Sequence, residues 1–122
     1  MPIYGGPSNT IYRVSVPAVA AFTVMYDVDD YHAAIASSSD VAHAAFVLAV
    51  VQSGVAAGGV VALSRQGIFV DPTLSIPVGR LFLGVGGVIT NVPPATGMLV
   101  QVGFAAGPGQ AIIDVQTARL LL

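Results

Sequence analysis

Glycine and proline divide this chain into short apolar segments along almost its whole length. The 122 residues include 14 glycines and 8 prolines, and apolar runs of strand length lie between them at spacings of roughly 8–12 residues. Helical periodicity is nowhere sustained for more than about two turns. The sequence therefore predicts an all-β fold, a small antiparallel β-sandwich or barrel of short strands.

Residues 79–116 give the clearest example of this alternation. Arg80–Leu83 and Val88–Thr90 are apolar, β-leaning runs, and Gly84-Val85-Gly86-Gly87 separates them. Adjacent glycines tolerate the positive φ angles that a tight turn needs, so we expect a hairpin centred on residues 84–87. Further strands are predicted at Ile11–Val16, Ala21–Tyr26, Tyr31–Ala36, Ala44–Val51, Val60–Ser64, Ile68–Val70, Met98–Ala105 and Ala111–Gln116.

The composition indicates that much of the apolar surface is covered by another molecule. Hydrophobic residues make up 55% of the chain and charged residues 8%, whereas about a quarter of the residues of a soluble domain are charged. A domain of this size exposes a large share of its surface, so a lone copy would show apolar side chains to water. We therefore expect an oligomer or a complex with a larger partner.

The first nine residues, Met1–Asn9, are rich in Pro, Gly, Ser and Asn but also contain Ile3 and Tyr4. Two interpretations stay open: a frayed terminus, or an extended arm that becomes ordered on a neighbouring molecule, with Ile3 and Tyr4 binding the partner. The expected organisation is an N-terminal arm over residues 1–9 and a single β-domain over residues 10–122.

Residues that usually carry catalytic or metal-binding chemistry are few and scattered. Cysteine is absent, which excludes disulfides and thiolate chemistry. His32 and His43 are too far apart in sequence for the short helical spacings that place two ligands on one metal. Composition leaves a Ser–His–Asp hydrolase open, but no Gly-x-Ser-x-Gly nucleophile elbow occurs. We expect both histidines to lie at or near the surface without a chemical role.

The acidic and glycine-rich segments do not match binding motifs either. Asp27-Val28-Asp29-Asp30 lacks the central glycine and the distal glutamate of a calcium loop, so we expect a hairpin turn with solvated carboxylates. Asp40 is a candidate cap for a short helix starting at Val41. No glycine cluster continues as a dinucleotide fingerprint, and the chain has no lysine for a P-loop. The sequence predicts no cofactor, no metal site and no enzymatic activity.

Two classes of partner are disfavoured by charge and patterning. The net charge is −2 and no basic stripe occurs, which argues against direct nucleic-acid binding.

Val41–Ser64 contains no acidic or basic residue and is long enough to span a bilayer. However, His43 and Gln52 interrupt it, and glycines break its second half. A strand, a turn and another strand explain the segment better than a membrane helix.

The second half of the chain, roughly residues 47–122, contains an ordered series of short motifs: Gly67-Ile68-Phe69-Val70-Asp71, Gly79-Arg80-Leu81-Phe82-Leu83, Gly86-Gly87-Val88-Ile89-Thr90, Pro93-Pro94, Val100-Gln101-Val102-Gly103, Ile112-Ile113-Asp114-Val115 and Leu120-Leu121-Leu122. Their order resembles a recurring C-terminal pattern in small virion proteins of tailed bacteriophages. Such proteins are capsid decoration (cement) or head-fibre proteins, and similar β-modules occur in tail fibres. The resemblance implies a structural virion protein on the outside of the capsid, with the major capsid protein as its partner.

Composition and resemblance together lead to two expected functions. The first is a capsid decoration protein that self-associates as a homotrimer, with a dimer as the alternative. The second is a head- or tail-fibre module that binds a host receptor or carbohydrate. The second function predicts an aromatic cluster on one face, for which Tyr26 and Tyr31 are candidates across the hairpin that joins their two strands.

Overall fold

The computed structural model describes residues 3–5 and 10–121, and of the side chains those of residues 10–121. Its strands are β1 (Ile3–Gly5), β2 (Thr10–Ser15), β3 (Val24–Asp27), β4 (His32–Ile35), β5 (Leu48–Val51), β6 (Val60–Ser64), β7 (Gln66–Val70), β8 (Gly79–Leu83), β9 (Ile89–Thr90), β10 (Gly97–Leu99), β11 (Gln101–Gly107), β12 (Gln110–Asp114) and β13 (Arg119–Leu121). Two short 3₁₀ helices cover Val41–Ala45 and Val85–Gly87. The all-β prediction is confirmed.

Five strands close into a barrel in the order β2-β4-β3-β5-β6. Neighbouring strands run antiparallel except β2 and β4, which run parallel and thereby close the barrel. Side chains alternate between the two faces of a strand, and one face of these strands fills the barrel with small and medium apolar residues. This inner cluster consists of Val19, Met25, Ala33, Ala49, Val51, Val61 and Leu63.

A six-stranded antiparallel sheet, in the order β1-β7-β12-β11-β8-β9, packs against the barrel, and β10 and β13 form a separate two-stranded ribbon. Val24 and Val50 on the barrel share one core with Leu81 and Met98 from the sheet and the ribbon. This explains why all four residues of β5 are buried: one face of the strand lines the barrel and the other meets the sheet.

Most of the predicted strands are confirmed, and the differences have local causes. The strand predicted over Ala44–Val51 is wrong in its first half, because a 3₁₀ helix occupies Val41–Ala45 and the strand begins at Leu48. The Asp40 side chain caps that helix by accepting a hydrogen bond from the Ala42 N–H at 3.2 Å, as the sequence predicted.

The prediction of a single strand over Met98–Ala105 is wrong, because the structure has two strands there, β10 and β11. The chain leaves one partner for another at Val100, so that Met98 pairs with Leu120 on β13 and Phe104 pairs with Ile112 on β12. The last two predicted strands, Met98–Ala105 and Ala111–Gln116, correspond in large part to β11 and β12, which pair across the turn before Gln110.

The predicted hairpin at residues 84–87 is confirmed by the pairing of Phe82 with Thr90 and of Leu83 with Ile89. Gly86 and Gly87 have φ angles of 73° and 83°, and a Cβ on Gly87 would lie 2.6 Å from Ile35 Cγ2. We therefore expect replacement of both glycines with Val to lower the free energy of unfolding by roughly 1–3 kcal/mol. Urea denaturation measures this change.

Val85→Ala is the control for that experiment, because the Val85 side chain is exposed in the same turn and its truncation should leave the denaturation midpoint nearly unchanged. A double glycine variant with the midpoint of the unmodified chain would contradict the assigned turn.

Part of the N-terminal segment is described. Residues 3–5 form β1 and pair antiparallel with β7, with Tyr4 opposite Phe69 and Gly5 opposite Ile68. Residues 1–2 and 6–9 of the predicted arm lie outside the described residues, as do the side chains of Ile3 and Tyr4, so their role in partner binding stays a prediction. Among residues 10–121, no helical segment has the length and apolarity needed to cross a membrane.

Candidate partner-binding surfaces

An apolar stripe crosses the outer face of the six-stranded sheet. Ile68 on β7 lies opposite Ile112 on β12, and Ile112 lies opposite Phe104 on β11. Their exposed fractions are 38%, 45% and 45%. Cross-strand neighbours have their Cβ atoms about 5 Å apart, so the three side chains form one continuous band. At the end of this row Phe104 lies opposite Arg80 on β8.

A second apolar surface lies on the barrel wall. Tyr12 on β2 and Val60 on β6 are both 64% exposed. They are diagonal neighbours in the register, because Tyr12 lies opposite Ala62 and Val14 lies opposite Val60. Tyr31, at the tip of the β3–β4 hairpin, is also exposed. Single exposed apolar residues are ordinary on a soluble protein, but contiguous apolar patches are typical of binding surfaces.

An aromatic cluster forms around Tyr26, with different members from those predicted. The Tyr26 ring stacks on His43 with centroids 4.1 Å apart and lies 5.1 Å from the Phe46 ring. Tyr31 instead sits at the exposed hairpin tip, and the expected pairing of Tyr26 with Tyr31 is wrong. The 3₁₀ helix over Val41–Ala45, where a strand was also predicted from Ala44, brings His43 and Phe46 to Tyr26. Phe46 remains exposed, so the cluster presents an aromatic surface to solvent.

His43 lies near a serine and an aspartate, but its hydrogen bonds do not build a catalytic triad. Its Nδ1 accepts from the backbone N–H of Ser37 at 3.0 Å, and its Nε2 lies 3.2 Å from Asp40 Oδ2. A triad needs one ring nitrogen to accept from the serine hydroxyl. The Ser37 hydroxyl instead lies 2.9 Å from the Ser39 hydroxyl and accepts from the Gly86 N–H. His43 therefore ties together the loop between β4 and the helix.

The acidic turn between β3 and β4 is stabilised by its own hydrogen bonds. Asp29 accepts from the backbone N–H groups of Tyr31 and His32, both at 2.8 Å, and its Oδ1 lies 2.9 Å from His32 Nδ1. These contacts, the Tyr31 N–H first and the His32 side chain next, lower the pKa of Asp29 below its usual value. Within the described residues, no three His, Asp, Glu or Cys side chains group in a way that could hold a metal ion.

Asp71 is the second exposed aspartate whose pKa is lowered, mainly by the Thr73 hydroxyl at 2.7 Å and then by the Thr73 backbone N–H at 3.0 Å. Since the pKa is lower in the folded state, the stabilisation is complete above the unfolded value of about 3.9 and is lost as pH falls through the folded value. We expect Thr73→Val to raise the pKa of Asp71, measured by carboxyl-carbon NMR titration.

The effect of Thr73→Val on melting temperature should accordingly be present at pH 7 and should shrink in acid. Thr117→Val is a control of the same kind at a site away from Asp71, and it should leave the Asp71 titration unchanged. A titration midpoint that Thr73→Val does not move would contradict the assigned hydrogen bond.

Two cavities flank the segment that leads from β12 to β13. One, of about 240 Å³, is lined by Ala44, Ala45, Phe46, Val47, Leu48, Arg65, Gln116, Thr117 and Ala118. The other, of about 320 Å³, is lined by Arg80, Phe82, Pro93, Leu99, Gln101, Gln116, Thr117 and Arg119. Arg80 and Arg119 are far apart in sequence, and nothing in the sequence pattern marks them as neighbours.

The comparisons with known proteins identify no relative. No protein-family model matches the chain, and neither does a curated protein or a solved structure. The resemblance to phage virion proteins therefore stays a prediction.

Proposed function

We propose that this chain is a structural virion protein, a capsid decoration (cement) protein that binds the outer surface of a phage head. The observation that carries the proposal is the apolar stripe of Ile68, Ile112 and Phe104, which runs in register across three adjacent strands. Burying these apolar side chains against another molecule would contribute about 25 cal/mol of free energy per Å² of apolar surface removed from water. The stripe therefore favours a function that depends on binding to another protein molecule.

Self-association through the stripe leaves the barrel wall free for a different partner. The sheet face and the barrel wall carry separate exposed apolar sets, the stripe on one and Tyr12 with Val60 on the other. A decoration protein that forms a trimer needs both kinds of contact, one between its own copies and one with the major capsid protein. We assign the stripe to contacts between copies because it is the longer continuous band.

A homotrimer, or alternatively a dimer, presents the same capsid-binding surface several times. Linked contacts act together, because after the first has formed the others bind at a high effective concentration. Modest contacts with neighbouring capsid subunits therefore give high occupancy and tie the subunits together against the pressure of packaged DNA. Residues 3–5 pair with β7 at the edge of the sheet of their own chain, so we propose that the 1–9 segment contacts a neighbouring subunit from this edge, through Ile3 and Tyr4. No enzymatic step and no cofactor enters this function.

One observation favours the second candidate, a fibre module that binds a receptor or carbohydrate. Tyr26, His43 and Phe46 form a ring cluster whose Phe46 also lines the smaller cavity, beside Arg65 and Gln116. An exposed aromatic ring next to amide and guanidinium donors suits the apolar face and the hydroxyl groups of a sugar. All three rings belong to one chain, so sugar binding at this cluster would not depend on self-association, whereas the decoration function does.

Immunoelectron microscopy distinguishes the two functions. An antibody raised against this chain is applied to phage particles purified from its source, with particles treated with pre-immune serum as the control. Label over the head surface supports decoration, and label at fibre tips supports receptor binding. Particles without label would contradict both functions. A binding assay with undecorated heads then compares the full chain with a chain lacking residues 2–9, and equal binding would remove the role of the arm.

A further inference from the structure

The arginines of this chain fall into two groups by their contacts. The Arg13 guanidinium lies 3.2 Å from Asp27 Oδ2, and Arg65 donates to the carbonyl oxygens of Leu48 and Val115. Arg80 and Arg119, in contrast, have neither an ion pair nor a side-chain hydrogen bond within the described residues. Both line the 320 Å³ cavity.

The fold builds this cavity where the six-stranded sheet meets the β10–β13 ribbon. Phe82 lies opposite Gln101 in the sheet, and Leu99 lies opposite Arg119 in the ribbon. The connecting segment is held to the sheet by a hydrogen bond from the Gln116 N–H to the Gln101 carbonyl at 2.9 Å. The lining residues therefore come from paired strands and from a connector fixed to one of them, which gives the cavity a defined shape.

The polar groups of the cavity are mainly donors without protein acceptors. No acidic residue lines it, so the lining includes two arginines and no negative charge. The Gln101 amide and the Thr117 hydroxyl also make no side-chain hydrogen bond within residues 10–121. Guanidinium groups bind carboxylate and phosphate oxygens through paired hydrogen bonds, and amide and hydroxyl groups complete such a set.

The rest of the cavity wall is apolar, so a bound anionic group should belong to a molecule that also has an apolar part. Phe82, Pro93 and Leu99 line the cavity beside the arginines. A volume of about 320 Å³ lies at the small end of the range of ligand sites. We infer that this cavity binds a small organic anion, a carboxylate or phosphate carried on a compact body with an apolar face. Such binding is independent of the proposed capsid role.

Heteronuclear NMR titration of the full chain tests this assignment with three probes: benzoate, phenyl phosphate and neutral benzamide. We expect both anions to shift the amide resonances of residues around the cavity and to bind more weakly as salt rises, while benzamide binds at least about tenfold more weakly than benzoate. The ratio of the two anion affinities identifies the preferred head group. Inorganic phosphate, which has no apolar face, should bind more weakly than phenyl phosphate.

The variant Arg80→Gln/Arg119→Gln should weaken benzoate binding at least about tenfold. Arg13→Gln removes the same type of charge from the barrel, at a residue that does not line this cavity, and should change the affinity less than about twofold. A thermal melt of each variant confirms that it is folded. The inference is overturned if neither anion binds, if benzamide binds as tightly as benzoate, or if the folded double variant retains the affinity of the unmodified chain.

Discussion

Replacing Gly103 with alanine is expected to lower the free energy of unfolding by about 3 kcal/mol or more. Gly103 lies on β11 at a register irregularity between Gln101 and Gly103, where the strand pairs with β8. On its other side it faces β12, and a Cβ at this position would overlap the carbonyl oxygen of Ile112. The φ angle of 156° is also one that residues with side chains rarely adopt. An alanine there has to separate two central strands of the sheet.

Gly107→Ala is the matched control for Gly103→Ala, because Gly107 ends the same strand and a Cβ on it would meet no atom within 4 Å. We expect the control to change stability by less than about 1 kcal/mol, since Gly→Ala at a compatible position restricts mainly the unfolded chain. Urea denaturation followed by circular dichroism measures both variants. Equal denaturation midpoints for the two alanine variants would contradict the close approach of the strands at Gly103.

Phe69→Ala is expected to destabilise the fold by about 3–5 kcal/mol. Phe69 on β7 is 1% exposed and belongs to the core between the sheet and the barrel. Its ring lies 4.8 Å from the ring of Phe22, which joins the two parts of the fold. Phe22 itself has a φ angle of 61°, an unusual conformation for a bulky residue, so the ring contact also supports a backbone that is costly to hold.

The control for Phe69→Ala is Tyr31→Ala, which removes an aromatic ring that is 73% exposed at a hairpin tip. Its effect on the unfolding free energy should stay within about 0.5 kcal/mol. Differential scanning calorimetry gives the melting temperature of both variants. A Phe69 variant that melts with the Tyr31 variant would show that the barrel and the sheet do not depend on this contact.

Most of the strands can be predicted from the sequence, because the turns are marked by Gly, Pro and Asp and the strands by apolar residues. Asp27-Val28-Asp29-Asp30 and Gly84-Val85-Gly86-Gly87 both mark hairpins that the structure contains. The pairing of distant strands has no such local marker. The parallel contact of β2 with β4, and the ribbon of β10 with β13, depend on how the whole chain packs.

The candidate sites were harder to predict for the same reason. Alternation along β8 places Arg80 and Phe82 on one face, but only the tertiary fold brings Arg119 to them. The 3₁₀ helix that carries His43 to Tyr26 has a sequence marker in Asp40, yet the apolar residues that follow also suit a strand. Composition indicated exposed apolar surface without indicating its place, which depends on the register of β7, β12 and β11.

Sedimentation equilibrium of the intact chain, beside a Phe104→Asp/Ile112→Asp variant, tests the central claim that this protein works by association through the sheet face. The measured mass of the intact protein should be three times the chain mass of 12.3 kDa, and a mass of two chains would select the dimer. The double variant, which places two charges in the stripe, should sediment as single chains and still melt cooperatively. Tyr12→Asp, on the barrel wall that the stripe contact leaves free, should keep the oligomer. An intact chain that sediments as a single copy at every concentration would contradict the account.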